Sequence, residues 1–417
     1  MATPAVLNRP PNRRYPAVCP DYPTAYMPFN NNLAVCFNNV QATFSRNSIA
    51  YKQDGTAVLT GQPRFETGSQ GDALGAVMVE EGTTNLVPNP LAEDNLIGIA
   101  GGFYGTSAGA VERSTVLPSG CLWATGVKTT VTVAGDVNLI FKQTDGSEAT
   151  TGIPVTAGAT YTYSIWLYIP SDSNITALRL RPIEWNSSGN AVKDNSLTVF
   201  ATKGVWQRVI ATWTLQSTTA KVTLRVFANG TGEFYATACM LEQKPYATSF
   251  INGTRSPEIL TIPTAGVLNP QEGTVEFWVK RTNLNTAEQQ FIDQRSTHKG
   301  INIRLNGNAI VFVTGNGTAE HYTNSGSLSW TTDDWYYIAV TWSVPGQFKR
   351  IYRNGIKVAE TTSWTAGLYL GTSNIHIGKV AWGTSYYLNA YFDDLRISNR
   401  ARTDEEIAAA YYNRAIF

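Results

Sequence analysis

Apolar and polar positions alternate along most of this chain, most clearly near its end. Residues 335–342 (WYYIAVTW) are almost all aromatic or β-branched, which suits a pleated, half-buried strand. Residues 349–353 (KRIYR) and 356–358 (IKV) flank Asn354-Gly355. Both residues tolerate the positive φ that a type I′ turn needs at its centre, so the segment reads as a tight hairpin. Upstream, 161–169, 177–185, 206–215, 220–228 and 232–243 also read as strands. In 220–228, Val222, Leu224 and Val226 alternate with Thr223, Arg225 and Phe227. Gly-, Asn- and Ser-rich turns between these segments suit antiparallel sandwiches.

The clearest helical stretch is Thr403 to Asn413. Asp404, Glu405 and Glu406 fill its first turn, where negative charge suits the helix dipole. Thr403 with Glu406 three residues on has the spacing of a capping box. One late helix in so many strands predicts an all-β fold.

Composition narrows the function. The chain has 417 residues and a net charge of +1, and charged residues make up 15%. Without a basic stripe, nucleic acid is an unsuitable partner. No apolar run approaches the ~20 residues that cross a bilayer, and the Pro- and Arg-rich N-terminus (Arg9, Arg13, Arg14) lacks the apolar core of a signal peptide. Cys19, Cys36, Cys121 and Cys239 are scattered without a CxxC or Cys/His cluster, so they read as buried thiols.

Four segments follow. Residues 1–40 carry many Pro and Asn without a period and read as an extended N-terminal arm that orders against a partner, orders against this chain or stays disordered. Residues 41–84 read as a small β-hairpin attachment module turning at Asp54-Gly55. A first jelly-roll β-sandwich spans 85–256 and a second 257–417, in tandem and antiparallel.

Catalytic patterns are missing. No strand carries three carboxylates on one face, as a jelly-roll glycosidase would. Asp333-Asp334 and Asp393-Asp394 are adjacent pairs, which a regular strand sends to opposite faces. His298, His321 and His376 lack the neighbours of a triad or metal site. The expectation is a non-enzymatic protein.

Sugar recognition needs exposed aromatic faces beside polar groups, because a pyranose offers an apolar CH face and a ring of hydroxyls. The aromatics that leave the core pattern are Trp185, at a strand end before Asn186-Ser187-Ser188-Gly189, and Trp123 and Tyr104 in Gly-rich context. Trp364, Trp382, Tyr386 and Tyr387 fall in loops, and His321-Tyr322 follows a Gly/Asn-rich turn. Trp185, Trp123, Trp364, Trp382, Tyr386 and His321 are the candidate carbohydrate-binding residues. Trp166, Trp206, Trp213, Trp278, Trp335 and Trp342 lie within strand patterns and read as core or half-core.

Three resemblances extend this reading. GTVEFWVK (273–280), WYYIAVTWS (335–343), IYRNGIKVAE (351–360), IHIGK (375–379) and YFDDLRISNRARTDEEIAAAY (391–411) have the order and spacing of a laminin-G-like or concanavalin-A-like lectin domain. In that family an acidic residue is usual at Asp393 or Asp394, which makes these two the candidate metal ligands and calcium the candidate ion. An ion pair or a backbone hydrogen bond that fixes the last strand is the competing role. Residues 43–68 and 76–90, with Pro63-Arg64-Phe65 and Glu80 to Leu86, resemble a module of tailed-bacteriophage structural proteins. The strand from Gly204 (GVWQRVIATW) and the close FYATACMLEQKPYATSFINGTR (234–255) resemble carbohydrate-binding-module jelly rolls. Those often hold calcium through an Asp where this chain has Thr237 and Ala238.

Together the resemblances imply a structural protein of a phage virion, assembled in the host cytoplasm and placed as tail fibre, tail tip or capsid decoration. The arm would join other virion proteins, and the sandwiches would bind a host surface glycan or a protein. A symmetric homo-oligomer such as a trimer is the expected assembly. The rival readings are a bacterial carbohydrate-binding adhesin and, behind it, a glycoside hydrolase.

Overall fold

The computed structural model describes residues 25–27, 42–69, 71, 75–93, 103–104, 109–134, 136–142, 147–383 and 385–415. The fold is all-β, as expected, and divides into two compact units. One comprises Gln53–Ala57 and Thr83–Arg255, the other Met1–Lys52, Val58–Gly82 and Ser256–Phe417.

In the first unit one sheet runs in the order Gln207–Thr214, Thr160–Tyr168, Gly232–Glu242, Gly126–Val131, Gly109–Ser114. The second sheet runs Ala191–Asp194, Ile183–Trp185, Lys221–Asn229, Asp136–Phe141, Phe103–Tyr104. Alternate residues of both sheets, Tyr161, Tyr163, Ile165 and Leu167 with Val222, Leu224 and Val226, close one core. The expected strand 177–185 is split into Ala177–Leu180 and Ile183–Trp185, because Pro182 has no N–H for the ladder.

The C-terminal unit is a second sandwich. One sheet runs Ile356–Thr362, Phe348–Arg353, Tyr336–Ser343, Glu272–Arg281, Ala390–Ser398, Ala76–Val79, Arg64–Glu66. The other runs Thr43–Ser45, Ile259–Ile262, Ile375–Ile377, Gln289–Asp293, Lys299–Asn306, Ala309–Asn316, Glu320–Ser327. Their inner faces meet through Phe277, Ile338, Val340 and Trp342 on one side and Ile301, Ile303, Ile310 and Phe312 on the other.

The local signals hold. Asn354 and Gly355 take φ of 52° and 76°, the hairpin geometry that their types favour. The helix Asp404–Ala415 begins with a capping box: Glu406 N donates to Thr403 Oγ1 at 3.2 Å and Thr403 N to Glu406 Oε2 at 2.8 Å. Its Ile407 and Ala410 cover Trp278, Tyr337 and Tyr352, and Tyr411 stacks on Trp278 at 5.6 Å. The strand Tyr336–Ser343 is therefore buried on both faces, which explains its unbroken apolar run.

The two sandwiches share a register as well as a sheet order. Ser164 pairs with Met240 and Trp166 with Thr237, leaving a bulge in which Ala238 has φ 48°. Glu276 pairs with Arg396 and Trp278 with Asp393, leaving a bulge in which Asp394 has φ 53°. Thr237-Ala238 and Asp393-Asp394 are thus equivalent positions.

One expectation needs correction. Residues 41–84 do not form a separate module. Thr43–Ser45 pairs with Ile259–Ile262, and Arg64–Glu66 and Ala76–Val79 extend the sheet that holds Ala390–Ser398. The reason is burial: Phe65, Val77 and Val79 complete the C-terminal core. Beside them Arg64 is clamped by Glu258 at 2.6 and 2.8 Å and by Glu80 at 2.9 Å, while Arg46 meets Glu258 at 2.8 Å. Burial alone would lower the Arg64 guanidinium, but the two carboxylates hold it above its ordinary value. The segment's two recognisable motifs thus meet in one buried ion cluster. As for the arm, Ala25–Met27 pairs with Leu395–Ile397 of the same chain, so this part orders on the chain itself. The rest of the arm, with Cys19 and Cys36, lies outside the described residues.

Candidate functional site

On the outer face of the second sheet of the C-terminal unit, side chains at alternate positions are polar. Gln290 lies opposite Arg304 and Asp293 opposite Asn302, and beyond an apolar pair, Val311 and Val313, the polar row resumes at Asn324 and Tyr322. Their neighbours Ile301, Ile303, Ile310 and Phe312 point into the core, so the strand period itself sets this row.

The row is knitted by hydrogen bonds. Glu288 Oε1 accepts from Arg304 Nη1 at 3.1 Å and Gln290 Nε2 at 2.9 Å, and Asn302 Nδ2 donates to Gln290 Oε1. Asp293 is fully buried; its Oδ1 accepts from Arg295 Nε at 2.9 Å. Arg295 Nη1 lies 3.8 Å from Glu320 Oε1, and Tyr322 Oη donates to Glu320 Oε2 at 2.5 Å. That bond, with burial second, raises the Tyr322 phenol above its ordinary value. The Arg304 guanidinium stands 5.9 Å from the Tyr322 ring centre.

A loop after Gly378 folds beside this row. Ala381 N donates to Asp293 Oδ2 at 3.0 Å, and Gln290 N donates to Tyr386 O at 3.0 Å. Between these anchors Trp382 and Tyr386 meet edge-on at 6.0 Å and remain 64% and 43% exposed. Tyr386 holds a left-handed φ of 56°, which turns the chain here. The loop and the row enclose a groove of about 520 Å³ lined by Glu288, Arg295, Arg304, Glu320, Trp382 and Tyr386. Below the loop Lys379 Nζ lies 3.5 Å from His376 Nδ1. Burial first, then Lys379, pushes His376 down to about 4, against the opposing pull of Asp293.

Of the sequence candidates, Trp382 and Tyr386 come together at this groove. His321 shares its strand but projects oppositely to Tyr322. Its carbonyl accepts from Lys349 Nζ at 2.7 Å, and burial, with Lys349, holds its imidazole below the ordinary value. Trp364 is corrected: it is buried in the core, with Lys349 Nζ 5.7 Å from its ring. Its polar neighbours suggested a surface loop, but Ser363 at φ 59° turns it inward. Tyr387 is buried too. Trp185 and Trp123 belong to the other unit and are half-buried. Trp185 Nε1 donates to Thr223 Oγ1 at 3.1 Å, and Trp123 packs edge-on against Phe250 at 4.6 Å. The Tyr104 side chain lies outside the described residues. Arg295, Arg304, Glu288 and Glu320 were missed, since their convergence depends on register across strands.

The candidate metal ligands do not fit calcium. Asp393 Oδ2 accepts from Ser69 N at 2.8 Å and Ser69 Oγ at 2.7 Å, while Asp394 Oδ2 pairs with Arg396 at 2.8 Å. Calcium takes six to eight oxygens. Among the described residues no group of three or more His, Cys, Asp or Glu side chains is arranged to hold a metal.

Residues 252–408 match the laminin-G-type family model described as the concanavalin A-like lectin/glucanases superfamily, so the C-terminal unit carries a lectin-like domain of that kind. No curated protein matches the chain. Similar solved structures include the N-terminal endo-1,4-β-D-xylanase 10B modules of Clostridium thermocellum complexed with xylohexaose, at 14% identity and TM-score 0.31 over 42% of this chain and 30% of that one. The receptor binding domain of botulinum neurotoxin D is 15% identical, with TM-score 0.32 over 37% of this chain and 41% of its own. The botulinum neurotoxin serotype G binding domain is 16% identical, with TM-score 0.33 over 40% and 45%. The chain thus spans less than half the length of each of these structures.

Proposed function

We propose that this chain is a non-catalytic binding protein of a phage particle, and that the groove of its C-terminal sandwich takes a carbohydrate. The observation that carries the binding half is the Trp382–Tyr386 pair, exposed at the rim of a groove whose walls are charged and hydrogen-bonding. An aromatic face offers a sugar ring the apolar surface its CH face needs, and the polar wall meets its hydroxyls. A groove of about 520 Å³ falls within the roughly 300–1,000 Å³ of ordinary small-ligand sites. The matched lectin-like family is in keeping with this reading.

A glycosidase needs two carboxyls free to face the scissile bond. Glu288 and Glu320 are engaged instead, Glu288 by Arg304 and Glu320 by Tyr322 and Arg295. Full-length protein incubated with the glycan it binds should release no new reducing ends.

The virion setting rests on the resemblance of 43–68 and 76–90 to a module of tailed-bacteriophage structural proteins. On this reading the chain serves as a tail fibre, tail tip or capsid decoration and is a symmetric homo-oligomer attached through its N-terminal part. Antibody against the chain should decorate tailed particles in electron micrographs; decoration of cell surfaces alone would favour the bacterial adhesin. The binding half is tested on a glycan panel with full-length protein, where Trp382→Ala should lose the signal that the parent gives.

A further inference from the structure

We infer that the groove selects an uncharged oligosaccharide and disfavours sialylated, sulfated or phosphorylated ones; this rests on the carbohydrate reading of the same groove. The argument is the charge balance of its wall. Two arginines line the groove, and both are already matched: Arg304 to Glu288 at 3.1 Å, Arg295 to Asp293 at 2.9 Å with Glu320 at 3.8 Å. Counting Lys379 beneath the loop, three cations (Arg295, Arg304, Lys379) stand against three carboxylates (Glu288, Glu320, Asp293). An anion gains most from an arginine whose charge no carboxylate meets, and here Arg304 Nη1 already faces Glu288 and Arg295 Nε faces Asp293. An anionic substituent would also approach Glu288 and Glu320, and like charges brought together out of water repel. A hydroxyl can donate to a carboxylate oxygen already held in place, so these paired groups suit vicinal diols. The Trp382 face accepts a neutral sugar ring without calling on charge.

The test uses full-length protein and matched glycan pairs that differ by one sialic acid or sulfate, titrated at low and high salt. The neutral member should bind at least tenfold tighter, its Kd should change less than twofold with salt, and Trp382→Ala should abolish it. Tighter, salt-sensitive binding of the anionic member, lost in Trp382→Ala, would overturn the inference and leave the carbohydrate reading standing. Binding that survives Trp382→Ala would place the sugar elsewhere and overturn both. Silence across the panel would likewise overturn both.

Discussion

The backbone N–H of Ala381 donates to Asp293 Oδ2 at 3.0 Å, so the loop that carries Trp382 is tied to a buried carboxylate in the sheet. The other oxygen of Asp293 holds Arg295. One side chain thus positions both the aromatic and the charged wall of the groove. Asp293→Ala leaves the half-buried Ala381 N–H without its acceptor and the Arg295 guanidinium with only Glu320 at 3.8 Å. It should cost about 2–3 kcal/mol of stability by urea unfolding. Glycan binding should fall about tenfold. Unchanged affinity would show that the loop keeps its place by other means.

The cluster of Arg46, Arg64, Glu80 and Glu258 should behave as a unit. Its members are fully buried, and removing one strands a partner in a dry site. Glu258→Gln should destabilise by roughly 3–5 kcal/mol. Chemical denaturation checks this, and a change below about 1 kcal/mol would mean that water reaches the cluster.

Lys349 gives a pH dependence. It is fully buried between Phe312 and Trp364, bonded to His321 O and Thr314 Oγ1, and burial pushes it down from 10.5 to about 7. Between those values the unfolded chain holds a proton that the folded chain has released. Stability should therefore rise from pH 7 toward 10.5, by at most about 1.4 kcal/mol per unit from this group. It is lost again as pH falls back to 7. Urea midpoints at several pH values should show the rise in the parent and a flatter profile in Lys349→Met. Parallel profiles would contradict the assignment.

Thr403 caps the helix that covers Trp278. Thr403→Ala should cost about 1 kcal/mol. Because the helix shields Trp278, the same variant should show a red-shifted tryptophan emission before global unfolding. Coincident transitions would show that helix and sandwich melt together.

Much of this was legible in the sequence, for physical reasons. The strands of both sandwiches follow from side-chain period and turn chemistry, as at Asn354-Gly355, and the capping box fixed the helix start at Thr403. What stayed hidden is long-range. Arg64 and Glu80 read as parts of a local module because nothing local reveals Glu258 as their partner. Trp364 and Trp382 sit in similar polar loops, yet one enters the core and the other faces solvent. That difference comes from backbone turns at Ser363 and Tyr386, residues whose types do not announce a positive φ. The charged wall depends on cross-strand register through a bulge between Gln290 and Ile292, and no motif encodes that.

The most direct measurement is a titration of full-length protein with neutral oligosaccharides, following Trp382 by comparing parent and Trp382→Ala fluorescence. The account predicts a saturable change in the parent, centred on the groove and absent from the variant, with both proteins equally folded. A ligand response of the same size in Trp382→Ala would contradict it.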